Sequence, residues 1–62
     1  MKYIVNGWPI TEEQAKDIIR EAIPNGGVEF LENTIRNCRR ENLQSVTLHV
    51  GGMKKSIEII FN

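Results

Sequence analysis

The feature that most restricts the fold is the pair of alternating apolar and polar runs on either side of Gly51-Gly52. A glycine pair between two such runs predicts a β-hairpin with a two-residue loop. This loop sets Val46 opposite Ile57 and gathers nearly all the apolar residues on one face. A loop longer by one residue would place Val46 against Glu58, because a one-residue slip exchanges the faces of a strand. The pattern therefore predicts a C-terminal hairpin with one apolar and one polar face.

The two-residue loop also fixes the other cross-strand pairs of the hairpin. On the apolar face it predicts the pairs Val50–Met53 and Leu48–Lys55. On the polar face it predicts the pairs His49–Lys54, Thr47–Ser56 and Ser45–Glu58. The polar face then carries hydroxyl, imidazole and ammonium groups that are free for a partner.

A chain of 62 residues has room for one domain, 1–62, with a small core. Chains of this size bury roughly 60% of their unfolded surface and are marginally stable. The chain has no run of about 18 apolar residues that could cross a membrane, and its N-terminal residues lack the apolar stretch of a signal peptide. Cys38 is the only cysteine, which excludes an internal disulfide and is typical of a reducing compartment. We therefore expect a cytosolic protein with no membrane contact.

Two amphipathic helices are predicted between residues 11 and 42. Thr11-Glu12-Glu13-Gln14 has the pattern of a capping box, and apolar residues at helical spacing extend the first helix over about 12–23. Pro24-Asn25-Gly26-Gly27 ends it, because residues before proline avoid the helical region and glycine allows a sharp reversal. A second helix is predicted over about 28–41, with Asn42 as a left-handed cap.

Residues Lys2–Val5 are predicted to form a short strand before the turn dipeptide Asn6-Gly7. Pro9 lacks the N–H that a strand ladder needs, so a hairpin that continues into Trp8 is not expected to run far. The predicted order is β-α-α-β-β. Two antiparallel helices packed on a sheet that contains the C-terminal hairpin form a small two-layer α+β sandwich. The first strand could join an edge of the hairpin or pair with another copy of the protein.

The side chains that carry chemistry are few. His49 and Cys38 are the only residues of their types, and a zinc site needs three or four ligands. Cys38 falls on the apolar stripe of the second helix, where a small buried thiol is common. His49 could pair with a serine on its own face, but no carboxylate is placed to orient the imidazole and an open sheet is a poor catalytic cavity. We therefore predict a protein that is not an enzyme and has no cofactor, metal or small-molecule substrate.

By elimination, the sequence favours a small accessory or regulatory module that binds another protein, itself, or both. The predicted partner-binding surface consists of Trp8, Thr47, His49, Lys54 and Ser56. Trp8 lies off both helical stripes, so it is either a lid that joins the first strand to the first helix or an exposed anchor of the kind enriched in interfaces.

The alternative is a nucleic-acid-binding regulator. The chain is neutral overall, but residues 1–32 carry a net charge of −3 and residues 33–62 a net charge of +3. The residues of this alternative site are Arg36, Arg39, Arg40, Lys54 and Lys55. Arginines suit phosphate recognition. However, an ion pair of Glu32 with Arg36 would neutralise part of the patch, and the sequence lacks the net positive charge typical of nucleic-acid-binding domains.

Overall fold

The computed structural model describes residues 1–50 and 55–61, which form four strands and two helices. They are β1 (Lys2–Val5), β2 (Trp8–Ile10), α1 (Glu12–Ala22), α2 (Gly27–Arg40), β3 (Ser45–Val50) and β4 (Lys55–Ile60). The strands form one antiparallel sheet in the order β2-β1-β4-β3. The predicted α+β sandwich with a C-terminal hairpin is confirmed. Neither helix is long and apolar enough to cross a membrane, as far as the described residues extend.

The element order contains one strand more than predicted, because β2 folds back onto β1. Asn6 and Gly7 both adopt positive φ angles, 52° and 82°, which tight hairpin turns require. Pro9 lies in β2 opposite Ile4, at the edge of the sheet, where a missing N–H is tolerated. The limit expected from Pro9 is visible in the strand's length of three residues.

The first strand joins the hairpin within the same chain. β1 pairs with β4, with Tyr3 opposite Ile59 and Val5 opposite Ile57. The two possibilities left open by the sequence are therefore resolved in favour of the hairpin edge. This pairing gives the sheet a continuous apolar row from β1 across β4 to β3.

The hairpin is present, but its predicted register is wrong by two residues. Val50 lies opposite Lys55 and Leu48 opposite Ile57, so four residues, 51–54, separate the strands. The predicted glycine loop, Met53 and Lys54 themselves lie outside the described residues.

The error follows from the period of a strand. A shift by two residues keeps every side chain on its face, so alternation alone cannot distinguish the two registers. The observed register places Ile57 against Leu48 and Ile59 against Val46, whereas the predicted one placed Lys55 against Leu48. The pair that includes Lys55 thereby moves from Leu48 to Val50, at the end of β3, and Ile59 also gains an apolar partner, which favours the observed arrangement.

Local signals placed the helix ends correctly to within a residue or two. Thr11 and Gln14 form the predicted capping box, with hydrogen bonds of 2.9 and 3.1 Å. Asn42 has a φ of 59°, and the Leu43 N–H donates to the Cys38 carbonyl at 3.0 Å. This hydrogen bond is the one that closes a helix in a Schellman motif.

The core lies between the helices and one face of the sheet. Its buried members are Tyr3, Ala15, Ile19, Leu31, Leu48, Val50, Ile57 and Ile59. Cys38 is also buried, as predicted. The helices approach each other closely at Gly27, where a Cβ would lie 2.9 Å from the Ile19 carbonyl oxygen.

Candidate functional site

The face of the sheet opposite the helices is covered by no other element among the described residues. Strand alternation and register place on it Lys2, Ile4, Pro9, Ser45, Thr47, His49, Ser56, Glu58 and Ile60. Thr47 and His49 are exposed, whereas Ile4, Ser56 and Ile60 are partly buried. We call this set the open face. It contains three of the five predicted partner-binding residues, Thr47, His49 and Ser56.

The corrected register brings His49 against Ser56. The His49 Nδ1 and the Ser56 Oγ lie 3.1 Å apart, a separation that a nucleophile and its base would have. Both groups lie on the open face, and neither lines the two depressions beside α2 that are described below. Their contact is a hydrogen bond on the exposed surface of the sheet.

Trp8 is not brought together with those three residues. It lies in edge strand β2 opposite Val5, on the side of the sheet that the helices cover and three strands away from β3, about 14 Å across the sheet. Its side chain is nevertheless 75% exposed, because the helices do not extend over this corner. The interpretation of Trp8 as a lid over the core is therefore wrong, and the tryptophan is an exposed side chain.

The three arginines of the alternative site lie in the C-terminal half of α2, and all three are exposed. The Arg36 Nη1 donates to the Asn33 Oδ1 at 2.8 Å, and Arg40 donates to Asn37. The predicted ion pair of Glu32 with Arg36 is not among the ion pairs of residues 1–50 and 55–61, which are Lys16–Glu12 and Arg20–Asp17.

The structure also separates the arginines from the hairpin lysines. The C-terminal end of α2 leads into Ser45, at the start of β3, whereas Lys55 begins β4 opposite Val50, at the other end of that strand. A six-residue strand is about 20 Å long. The backbone of Lys55 is therefore far from the arginine end of α2, and Lys54 lies outside the described residues.

Two surface depressions flank the C-terminal half of α2. The larger, of about 530 Å³, is lined by Arg39, Asn42, Leu43, Gln44, Ser45, Glu58, Ile60 and Phe61. The smaller, of about 330 Å³, is lined by Met1, Glu12, Glu32, Ile35, Arg36 and Arg39. Because carboxylates stand beside the arginines in both, neither depression is a uniformly positive surface.

Among the described residues, the pKa of Tyr3 departs clearly from its ordinary value. Its hydroxyl donates to the Glu12 Oε1 at 3.2 Å. Burial, this hydrogen bond and the negative charge of Glu12 raise the pKa of Tyr3 to about 12, against a smaller opposing effect of Arg39. The arrangement fastens β1 to the start of α1 and therefore has a structural role.

The described residues bring no three His, Cys, Asp or Glu side chains close enough to hold a metal ion. Phe30, which the site prediction left out, has 49% of its surface exposed. Its position at the margin of the apolar stripe of the second helix was the only sequence signal for this exposure.

No protein-family model, curated protein or solved structure matched the chain.

Proposed function

We propose that this protein is a small non-enzymatic module of the cytosol that works by binding another protein. The observation that carries the proposal is the exposure of the Trp8 side chain, which is 75% exposed while the core cluster has eight buried members among the described residues. Tryptophan is enriched among the residues that dominate interface affinity. The cytosolic location rests on the single free cysteine, Cys38.

The size of the indole makes Trp8 an effective anchor. Burying its exposed part removes roughly 150 Å² from water, which is worth about 4 kcal/mol before the costs of association. Its neighbour Pro9 stiffens the strand that carries it, so little conformational freedom is lost on binding. A partner with an apolar pocket and hydrogen-bond acceptors for the indole N–H would fit this corner.

The open face gives the module a second contact surface. Thr47, His49 and Ser56 offer hydroxyl and imidazole groups that are not enclosed, beside the partly buried Ile4 and Ile60. Because Trp8 lies on the other side of the sheet, one flat partner cannot cover both. We therefore assign Trp8 as the primary anchor and the open face as a separate surface.

The test is a pull-down from a cytosolic lysate with tagged wild-type protein, Trp8→Ala and Leu43→Ala, with and without nuclease. Leu43 is a matched control because it is also an exposed large apolar residue, at the opposite edge of the sheet. We expect a nuclease-resistant protein that Trp8→Ala loses by tenfold or more and Leu43→Ala retains. Equal capture by Trp8→Ala, or a large fall in its thermal midpoint, would show that Trp8 is not the anchor.

The nucleic-acid alternative has weaker support, because acidic residues stand beside the arginines and the charges are spread over both ends of the molecule. It predicts binding that falls steeply with salt and is abolished by charge reversal at Arg39 and Arg40. Recovery of nucleic acid with the wild-type protein, lost in that double variant, would replace the protein-binding proposal.

A further inference from the structure

The two edges of the sheet differ in how open they are to another strand. β2 is three residues long and contains Pro9, which interrupts its hydrogen-bonding edge. β3 is six residues long, Ser45–Val50, contains no proline or lysine, and pairs only with β4 among the described strands. Long edges without such protection are templates for pairing with another chain. The β3 edge is the one that can accept a strand.

The α2 surface above this edge is also unprotected. The side of α2 that faces α1 carries Glu32, Ile35 and Arg36, which line the depression near Glu12. At 100° per residue, Phe30, Thr34 and Asn37 therefore lie on the side away from α1, above β3. Phe30 is half exposed.

The cover over β3 is incomplete as well. Val46, which points from β3 toward the helices opposite Ile59, is only partly buried. Phe30 of α2 and Val46 of β3 therefore leave apolar surface open above this edge.

We infer that the β3 edge pairs with the β3 edge of a second copy, antiparallel and about a two-fold axis, to form a continuous eight-stranded sheet. The inference rests on the proposed function, because it specifies one protein partner of the module. A two-fold axis perpendicular to the sheet keeps both helix layers on one side. Even-numbered residues of β3 then face even-numbered residues of the partner strand, so Val46, Leu48 and Val50 meet their counterparts.

The spacing of the layers fits this arrangement. Each subunit has two helices over four strands, or one helix for every two strands. Two strand spacings are about 9.6 Å, and packed helices lie about 8–10 Å apart. Extending the sheet through β3 therefore places the second copy's α2 beside the first at a normal packing distance, with Phe30 of each copy between them.

The charges of α2 favour a second copy over an unrelated strand. Glu29 and Glu32 lie in the N-terminal half of α2, and Arg36, Arg39 and Arg40 in its C-terminal half. In the two-fold arrangement the helices run antiparallel, so Glu29 in the first turn of each α2 approaches Arg40 in the last turn of the other, whereas Glu32, Arg36 and Arg39 line the depression on the α1 side. Glu29 and Arg40 are on the solvent side of α2, where they would form intersubunit pairs at the rim.

The first experiment is sedimentation equilibrium of the full chain over a dilution series, with Phe30→Glu and Trp8→Ala. We expect a reversible dimer that Phe30→Glu weakens at least tenfold, because it would bury two carboxylates between the helices. Trp8→Ala should dimerise as the wild type does, since β2 is at the far edge. A monomer at all concentrations up to about 1 mM, or a dimer indifferent to Phe30→Glu, overturns the inference.

A charge exchange between Glu29 and Arg40 tests the dimer independently, in case Phe30→Glu folds poorly. Glu29→Arg and Arg40→Glu should each weaken the dimer about tenfold, and the double variant should restore it. The two residues are 11 positions apart on α2, about 16 Å, so the rescue cannot arise within one helix. Single variants without effect, or a double variant weaker than both, would contradict the pairing.

The outcome is separable from that of the proposed function. If the dimer fails while a nuclease-resistant partner is captured through Trp8, only the present inference is lost. If the dimer forms and no other partner is found, the module acts through self-association alone.

Discussion

Tyr3 provides a pH-dependent test of how the sheet is fastened to α1. The residue is 5% exposed, and its hydroxyl donates to Glu12. Its pKa is raised from 10.0 to about 12, first by burial and then by the hydrogen bond and charge of Glu12. Below pH 10 the folded and unfolded states both keep the phenolic proton, so this stabilisation is complete. Between pH 10 and about 12 only the unfolded chain releases the proton, and the free energy of unfolding falls.

The magnitude follows from the shift. Two pKa units at about 1.36 kcal/mol each give about 2.7 kcal/mol. The Glu12 side chain is 53% exposed, and allowing for solvent screening there reduces the expected loss to about 2 kcal/mol. For a domain that is only marginally stable, this loss is a large part of the total and predicts unfolding in the same pH range.

Two measurements check this prediction. Tyr3 is the only tyrosine, so the near-ultraviolet absorbance of tyrosinate titrates it directly, while far-ultraviolet circular dichroism reports whether the chain is folded. The free energy of unfolding is measured by urea denaturation for the wild type and Tyr3→Phe at each pH. Taking the difference removes the contribution of lysine titration, which is the same in both proteins. The difference between the two free energies should change by about 2 kcal/mol from pH 9 to 12.

Two results would refute this reasoning. One is the appearance of tyrosinate near pH 10 in the folded protein. The other is a pair of stability curves that stay parallel. As a further check on the cause, Glu12→Gln should lower the pKa of Tyr3 without restoring its ordinary value, because burial remains.

Two further predictions concern the helices. Gly27→Ala should lower the free energy of unfolding by about 1–3 kcal/mol, because its Cβ would lie 2.9 Å from the Ile19 carbonyl oxygen. Gly26→Ala meets open space at a φ of 84° and should cost only about 1 kcal/mol, so urea denaturation that ranks the two the other way contradicts the close approach of α1 and α2. Thr11→Ala should cost about 1 kcal/mol by removing the capping box, whereas no change in the thermal midpoint would mean that the cap is replaced by solvent.

The candidate site was less predictable than the fold. The polar side of β3 and β4 was identified from alternation, and Thr47, His49 and Ser56 do lie on the open face. Alternation cannot show how far Trp8 lies from them, because that distance depends on the order β2-β1-β4-β3, which arises from contacts between distant parts of the chain. The same is true of the arginines and Lys55, which all belong to the positively charged second half of the sequence. The arginine end of α2 leads into the start of β3, whereas the backbone of Lys55 lies opposite Val50, at the end of β3.

Features that depend on neighbouring residues could be predicted from the amino-acid sequence. The capping box at Thr11, the positive φ at Asn42, the helical stripes and the two faces of the hairpin all follow from interactions within a few positions of the chain. The hairpin register and the exposure of Trp8 depend instead on packing between distant parts of the chain. The hairpin register is set by apolar contacts of Leu48 and Ile57 with the core. Trp8 is exposed because the helices do not cover the corner of the sheet at which it lies. Such choices compare surfaces that meet only after folding, so no local pattern in the chain contains them.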